Sequence, residues 1–343
     1  MYRKVCFLLF VLTLSADPNV LVTGGAGYIG SHTCAALKRA GFTPIAFDSL
    51  IYGLEENVKW GPLIKGDLKD KDLLDFAFQT YQPVAVIHFA ALKSVPESVL
   101  DPLSYYETNI SGTLNLLRAM QNHDVRVLVF SSTCSIYGSS TLPAIDENQP
   151  GKPENPYARS KYYIEEILHD VSLASDMRYA ALRYFNVAGM ESHLKLKKPP
   201  FLPLPLISSV LETIATPETP FNLYGTDYPT PDGTAVRDYI HVADIAEAHV
   251  LALKHLQANG NNLTLNLGTG KGYSVKEIIQ AAEQLTGKQV PCKVAPRRCG
   301  DIPQAVADAA RAKEIFGFDP VHSDLQNILE SEWEALSLHG KKI

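Results

Sequence analysis

The sequence predicts a doubly wound α/β protein, an open parallel sheet with helices on both faces and a smaller C-terminal α/β cap. Three observations predict it. Short apolar runs alternate with helix-length segments through the first half, a glycine-rich turn joins the first run to the first helix, and an acidic residue closes the second run. Buried runs that alternate with helices require right-handed crossovers, which place them in a parallel sheet covered on both sides.

Taken in order, the chain opens on Arg3 and Lys4, an apolar run Val5 to Leu14, then Ser15 and Ala16. That run is too short to span a bilayer as a helix and resembles a secretory signal peptide. The alternative is an upstream start or a surface extension, so residues 1–16 are set apart and a cytoplasmic location is expected for the rest. Strand-like runs follow at Val20–Thr23, Pro44–Phe47, Val84–Phe89 and Val125–Ser131, with helical segments such as Ser31–Ala40 and Leu103–Asn122 between them. After Asn186 comes a Lys/Pro-rich stretch from His193 to Pro205, then shorter segments rich in turn residues. Arg237–His255 and Leu263–Gly268 read as a helix and a strand that rejoin the sheet. The expected layout is a cofactor domain over 17–186 with return segments at about 236–268, and a substrate domain from 187–235 and 269–343.

With 343 residues, 46% of them hydrophobic, the chain can bury a large core. A net charge of -6 argues against a nucleic-acid or acidic-membrane binder. Cys6, Cys34, Cys134, Cys292 and Cys299 are scattered, and neither they nor the histidines show metal-ligand spacing, so no metal is expected.

Gly24, Gly27 and Gly30 form G-x-x-G-x-x-G between an apolar run and a helix. Such glycines allow a tight turn and bring backbone N–H groups to a pyrophosphate at the positive end of the helix, as in Rossmann folds. Asp48 lies 18 residues after Gly30. A carboxylate there accepts hydrogen bonds from ribose hydroxyls and repels a 2′-phosphate, which favours NAD over NADP. Asp67 is placed to meet the adenine.

Tyr157 and Lys161 form Y-x-x-x-K, and on a helix the two share a face. Lowering a tyrosine pKa from near 10 by about three units needs roughly 4 kcal/mol of differential stabilisation. A neighbouring ammonium and the positive charge of a nicotinamide would supply it, and Lys161 can also hold the nicotinamide ribose. A third hydroxyl is expected at the end of a central strand, where Ser131, Ser132 and Thr133 stand; Thr133 is favoured and Ser132 competes.

In this order the residues resemble the UDP-glucose 4-epimerases, extended short-chain dehydrogenases/reductases, from about Asn19 to Asp319. The resemblance rests on Thr23 through His32, His88 through Lys93, Tyr157 through Lys161, and Leu182 through Asn186. The sharpest block is Tyr224 through Thr234 continuing into Arg237 through Val242. It implies that Tyr157 takes a proton from the sugar 4-hydroxyl while C4 gives a hydride to NAD, with Thr133 bridging the proton. The 4-keto sugar then turns over and is reduced on its other face. By the same resemblance Tyr28, Ile29, Leu68, Phe89, Ala90, Lys93, Asn109 and Tyr184 belong to the cofactor site. Lys93, Thr133, Tyr157, Phe185, Asn186, Tyr224, Arg237, Arg298, Asp301 and Ala305 belong to the UDP-sugar site.

Two departures from the family pattern stand out. The stretch His193–Pro205 diverges, and Ala305 occupies a position that can hold a large aromatic beside the sugar. A small side chain there leaves room for an N-acetyl group, so N-acetylated UDP-sugars are expected substrates too. Related dehydratases carry acid/base carboxylates after the strand-end threonine, where this chain has Cys134 and Ser135. A non-catalytic NAD sensor would be expected to lose the Tyr or the Lys, and both are present. The resemblance further implies a homodimer through helices near Leu103–Asn122 and Tyr157–Leu173.

Overall fold

The structure is a computed structural model and describes residues 17–140, 142–197, 204–298 and 301–338. The signal-like segment 1–16 lies outside the described residues, as does 198–203 of the divergent stretch.

In chain order the elements begin with β1 (Asn19–Thr23), α1 (Tyr28–Arg39), β2 (Thr43–Asp48), β3 (Leu63–Lys65), α2 (Lys71–Tyr81) and β4 (Ala85–His88). Short helices α3 (Val95–Leu100) and α4 (Pro102–Tyr105) lead through a π-helical turn, Tyr106–Ser111, into α5 (Gly112–Asn122) and β5 (Val127–Thr133). Next come α6 (Pro156–Ala174), β6 (Arg178–Tyr184), β7 (Asn186–Ala188), α7 (Leu206–Ala215), β8 (Phe221–Tyr224), β9 (Val236–His241) and α8 (Val242–Gln257). The chain ends in β10 (Leu263–Leu267), β11 (Gly272–Ser274), α9 (Val275–Thr286), β12 (Cys292–Ala295), β13 (Gln304–Ala305), α10 (Ala310–Phe316) and α11 (Leu325–Leu338).

Seven parallel strands stand in the order β10-β6-β5-β4-β1-β2-β3. The order reverses between β1 and β4, which opens the crevice where doubly wound sheets bind ligands. Alternation along the strands builds two cores. Val20, Val22, Ile87 and Val129 pack with Leu37 of α1 and Ile245 and Leu253 of α8. Leu21, Val86, Leu128 and Phe130 face Leu74 of α2, Leu116 of α5 and Ile164 of α6. A third core joins α7, α9 and α11 beneath the small sheets β11-β9-β13 and β12-β8.

Three elements differ from the sequence expectation. Leu103–Asn122 is helical throughout, as expected, but not regular: a π turn that carries Asn109 is inserted within it. Arg237–His255 divides into strand and helix, and β9 pairs with β7, β11 and β13 rather than entering the large sheet; only α8 and β10 return to it. Strand β6 shows no continuous apolar run, because Arg178, Arg183 and two tyrosines interrupt it, although six of its seven residues are buried. No helix among the described residues is long and apolar enough to cross a membrane.

Candidate active site

The glycine turn is shaped by contacts that exclude a side chain. Gly24 has φ +72°, and a Cβ there would stand 2.8 Å from the backbone nitrogen of Ala90; one at Gly30 would stand 2.1 Å from the Gly24 carbonyl. The turn therefore presses against the end of β4 on one side and the start of α1 on the other. Gly27 precedes α1, and no side chain caps that end of the helix. Its first N–H groups, at Tyr28, Ile29 and Gly30, form a positive end able to receive a diphosphate.

Around this cradle Asp48 is buried at the end of β2 and accepts from the amides of Ala26 (3.0 Å) and Leu50 (2.8 Å). Burial pushes its pKa up and those amides pull it back. Asp67 accepts from the Lys69 amide, while the Leu68 side chain is core and its carbonyl takes a bond from Asn115. Phe89 and Ala90 hang from Thr23 by their amides. Tyr28 turns its hydroxyl to the Gly189 carbonyl, and Ile29 packs on the core. A cradle closed to any Cβ, an uncapped helix and a strand-end carboxylate together fit a dinucleotide.

Across the crevice α6 brings up the tyrosine and lysine. Asn155 caps it by accepting from the Ala158 amide at 2.9 Å, with Pro156 in the first turn. Tyr157 lies beside Thr133 at the end of β5, whose side chain opposes the effect of burial on the tyrosine; the Thr133 hydroxyl itself accepts from the Ser135 amide at 3.2 Å. Ser132, the competing hydroxyl, points the other way and donates to Glu165 at 2.5 Å, which leaves Thr133 as the partner. Lys161 donates to the Ser131 carbonyl at 2.8 Å and lies over the Phe130 ring. Tyr184 bonds to the Ser131 hydroxyl. From the π turn, Asn109 donates to Ser160 and to the Leu92 carbonyl and accepts from the Leu92 amide, fixing α6 against the loop that carries Lys93. Lys93 itself is exposed at the rim.

Burial shifts both groups of the pair toward their neutral forms. Burial pushes Tyr157 up to about 12, only partly opposed by the neighbouring Thr133. Burial also pulls Lys161 down to about 7. In the protein by itself the tyrosine is therefore held protonated.

The expected substrate residues gather above the strand ends, in two groups. Near the tyrosine, Ala305 and Phe185 pack with Tyr137, Ile145, Ala307 and Cys134, and the Arg237 charge reaches the Cys134 thiol. Asn186 opens β7 and is exposed. Farther out, the Arg298 guanidinium lies 5.1 Å from the centre of the Tyr224 ring and is paired with Asp301 at 2.9 Å. Among the described residues no His/Cys/Asp/Glu group could hold a metal ion.

Sequence reasoning missed the layer behind the site. Glu165, Arg183, Tyr137 and Asn266 form a buried chain of hydrogen bonds running from Ser132 to the Ile145 carbonyl. Only Glu165 left a signal: it continues the Tyr157–Lys161 stripe by one more helical turn. The others are apart in sequence and meet only in the fold.

The sequence matches the NAD dependent epimerase/dehydratase family over residues 20–268. It is 42% identical to a UDP-glucose 4-epimerase of Rhizobium leguminosarum bv. trifolii, covering 93% of this chain and 97% of that protein. The fold superposes on the crystal structure of UDP-glucose 4-epimerase from Brucella ovis in complex with NAD with a TM-score of 0.88 at 45% identity, covering 92% of this chain and 97% of that one. It superposes on the UDP-Glc/GlcNAc 4-epimerase of Campylobacter jejuni with a TM-score of 0.81 at 34% identity, covering 94% and 99%. The chain therefore belongs to the UDP-glucose 4-epimerases of the NAD dependent epimerase/dehydratase family.

Proposed function

We propose that the protein is an NAD-dependent isomerase that inverts C4 of UDP-hexoses, interconverting UDP-glucose and UDP-galactose in galactose metabolism. The observation that carries this reading is Tyr157 beside Thr133, one helical turn from a buried Lys161 fixed on the Ser131 carbonyl, with a glycine cradle at the end of β1. NAD, when bound, would accept the C4 hydride and return it. The chain's own residues do the rest. Tyr157 receives the 4-hydroxyl proton, Thr133 bridges the two oxygens, and Lys161 supplies the positive charge that favours the phenolate. Arg237, Arg298 and Lys93 offer cations to the diphosphate, Tyr224 a ring face to the uracil, and Asp301 fixes Arg298. The segments 187–235 and 269–343 act as the substrate domain.

Ala305 supports a wider substrate range. It is small and faces Phe185 and Tyr137 in the group beside the tyrosine, and the Campylobacter jejuni enzyme of the same fold is named for both UDP-Glc and UDP-GlcNAc. The deciding assay gives full-length protein UDP-galactose with no added NAD and follows the products by NMR. UDP-glucose should form, and UDP-N-acetylgalactosamine should be converted in the same way. No conversion of either, with NAD then supplied, overturns the reading; conversion of the plain sugars alone overturns the wider range.

A homodimer is supported by apolar side chains left exposed where α3, α4 and α6 meet, with Val99 61%, Leu100 85%, Leu103 72% and Tyr163 47% exposed. A patch of this kind marks an interface. Sedimentation at micromolar concentration should give twice the chain mass, and a monomer would contradict it.

A further inference from the structure

Glu165 is one of the few buried carboxylates of the molecule and has no place in the chemistry above. It stands 5% exposed on α6, one turn beyond Lys161 on the same face. Its position is fixed from two other elements. Arg183 of β6 holds it through Nε at 3.0 and 3.1 Å and through an ion pair at 2.5 Å, and Ser132 of β5 donates to it at 2.5 Å. Arg183 is itself held, since its other nitrogen donates to Tyr137, whose hydroxyl donates to Asn266 on β10. A carboxylate clamped in this way cannot swing to another partner.

Lys161, by contrast, has a carbonyl and a ring for company, and neither is an anion. Burying an ammonium without a counter-charge favours its neutral form, and a neutral Lys161 would lose the charge that supports the Tyr157 phenolate. We propose that Glu165, clamped by Arg183 and Ser132, is the buried counter-charge of Lys161 and a positioning residue for the epimerisation. This rests on the reading of function above. Ser132 gains a role as well, because its bond to Glu165 ties the strand end that carries Thr133 to the helix that carries Tyr157.

The other groups near Lys161 do not replace it. From its own helix there is Tyr157, protonated in the free protein, and from β5 the Ser131 carbonyl and Phe130 ring. From β4, His88 is held neutral by burial and by the lysine itself, pushed down to about 3. From β6 come Tyr184, neutral, and Arg183, a cation that can only disfavour the Lys161 charge and that is held in the ion pair with Glu165. Glu165 is the one charge that pushes Lys161 back up against burial.

The simpler alternative is that Glu165 only neutralises Arg183. Two variants separate them. Glu165→Gln removes the charge and keeps an acceptor for Ser132, and Glu165→Gln with Arg183→Met removes both charges of the buried pair, which is often tolerated. Turnover of UDP-galactose by the NAD-containing protein is measured against pH, alongside a titration of 13Cε-labelled lysine by NMR. Both variants should move the alkaline fall of kcat, and the Lys161 titration, down by about one pH unit. An unmoved profile with only a lower maximum, or a shift in the single variant that the double variant reverses, overturns the proposal. If the wild type turns over no UDP-sugar the functional reading fails by itself. The NMR titration still reports in that case whether Glu165 sets the charge of Lys161.

Discussion

Tyr157 and Thr133 show what one hydroxyl decides at this site. The motif Y-x-x-x-K was legible because its spacing is set by the helix, and the turn Gly24–Gly30 because its backbone leaves no room for side chains. The choice between Ser132 and Thr133 was not, since successive residues of a strand face opposite ways and the sequence does not say which way is in. The structure separates them by the carboxylate of Glu165, which claims Ser132. Tyr157→Phe keeps the ring and removes the proton acceptor. We expect kcat to fall by about 10²–10⁴-fold, with stability changed by no more than about 1.5 kcal/mol, the scale of one buried hydroxyl. Steady-state turnover of UDP-galactose and urea unfolding of the same preparation check both; a variant with near-normal turnover would remove Tyr157 from the chemistry.

At the scale of elements, α6 is positioned by its first turn. Asn155 caps the helix and Pro156 pre-sets its entry, so Tyr157 sits in the turn most prone to fray. Replacing Asn155 with Ala should cost about 1 kcal/mol of stability. Because the same turn aims Tyr157 at Thr133, kcat should fall by roughly tenfold for each 1.4 kcal/mol of lost positioning. Asn155→Asp, which can still cap, should restore both. Loss of stability with kcat untouched would show that the aim does not depend on the cap. The elements most legible in the sequence were those buried on both faces, β1, β2, β4 and β5, whose apolar runs have no other explanation. Those read less well have physical reasons. The π turn around Asn109 has no periodicity of its own, β6 hides a buried Arg183 whose partner Glu165 lies on another element, and β9 runs directly into α8 without a turn residue between them.

At the scale of the whole molecule, several histidines are buried among the packed elements. His88 bonds to Thr23 and Thr113 under the crevice, His241 sits where β9 meets α11, and His249 of α8 packs between Phe89 and Tyr184. Burial holds all three neutral, pushing His88 down to about 3 and His241 and His249 to about 4. An unfolded histidine titrates near 6.5. As pH falls below that value the unfolded chain takes up protons that the folded one refuses, so stability drops until the folded values are reached. Each histidine can contribute up to about 1.4 kcal/mol per pH unit in that window. Buried Asp48, Asp238 and Asp244 act in the opposite sense. Burial raises their folded values, so the native state protonates first and gains stability as pH falls through them. Ordinary carboxylates titrate near 4, so the histidines dominate the interval from 6.5 to about 5. Urea unfolding should therefore give a lower midpoint at pH 5.5 than at pH 7.5, with an unchanged slope. His249→Phe, whose ring can fill the same space, should lose part of that acid sensitivity. A midpoint that holds steady or rises on acidification would mean that the carboxylates outweigh the histidines, or that the histidines are charged in the fold.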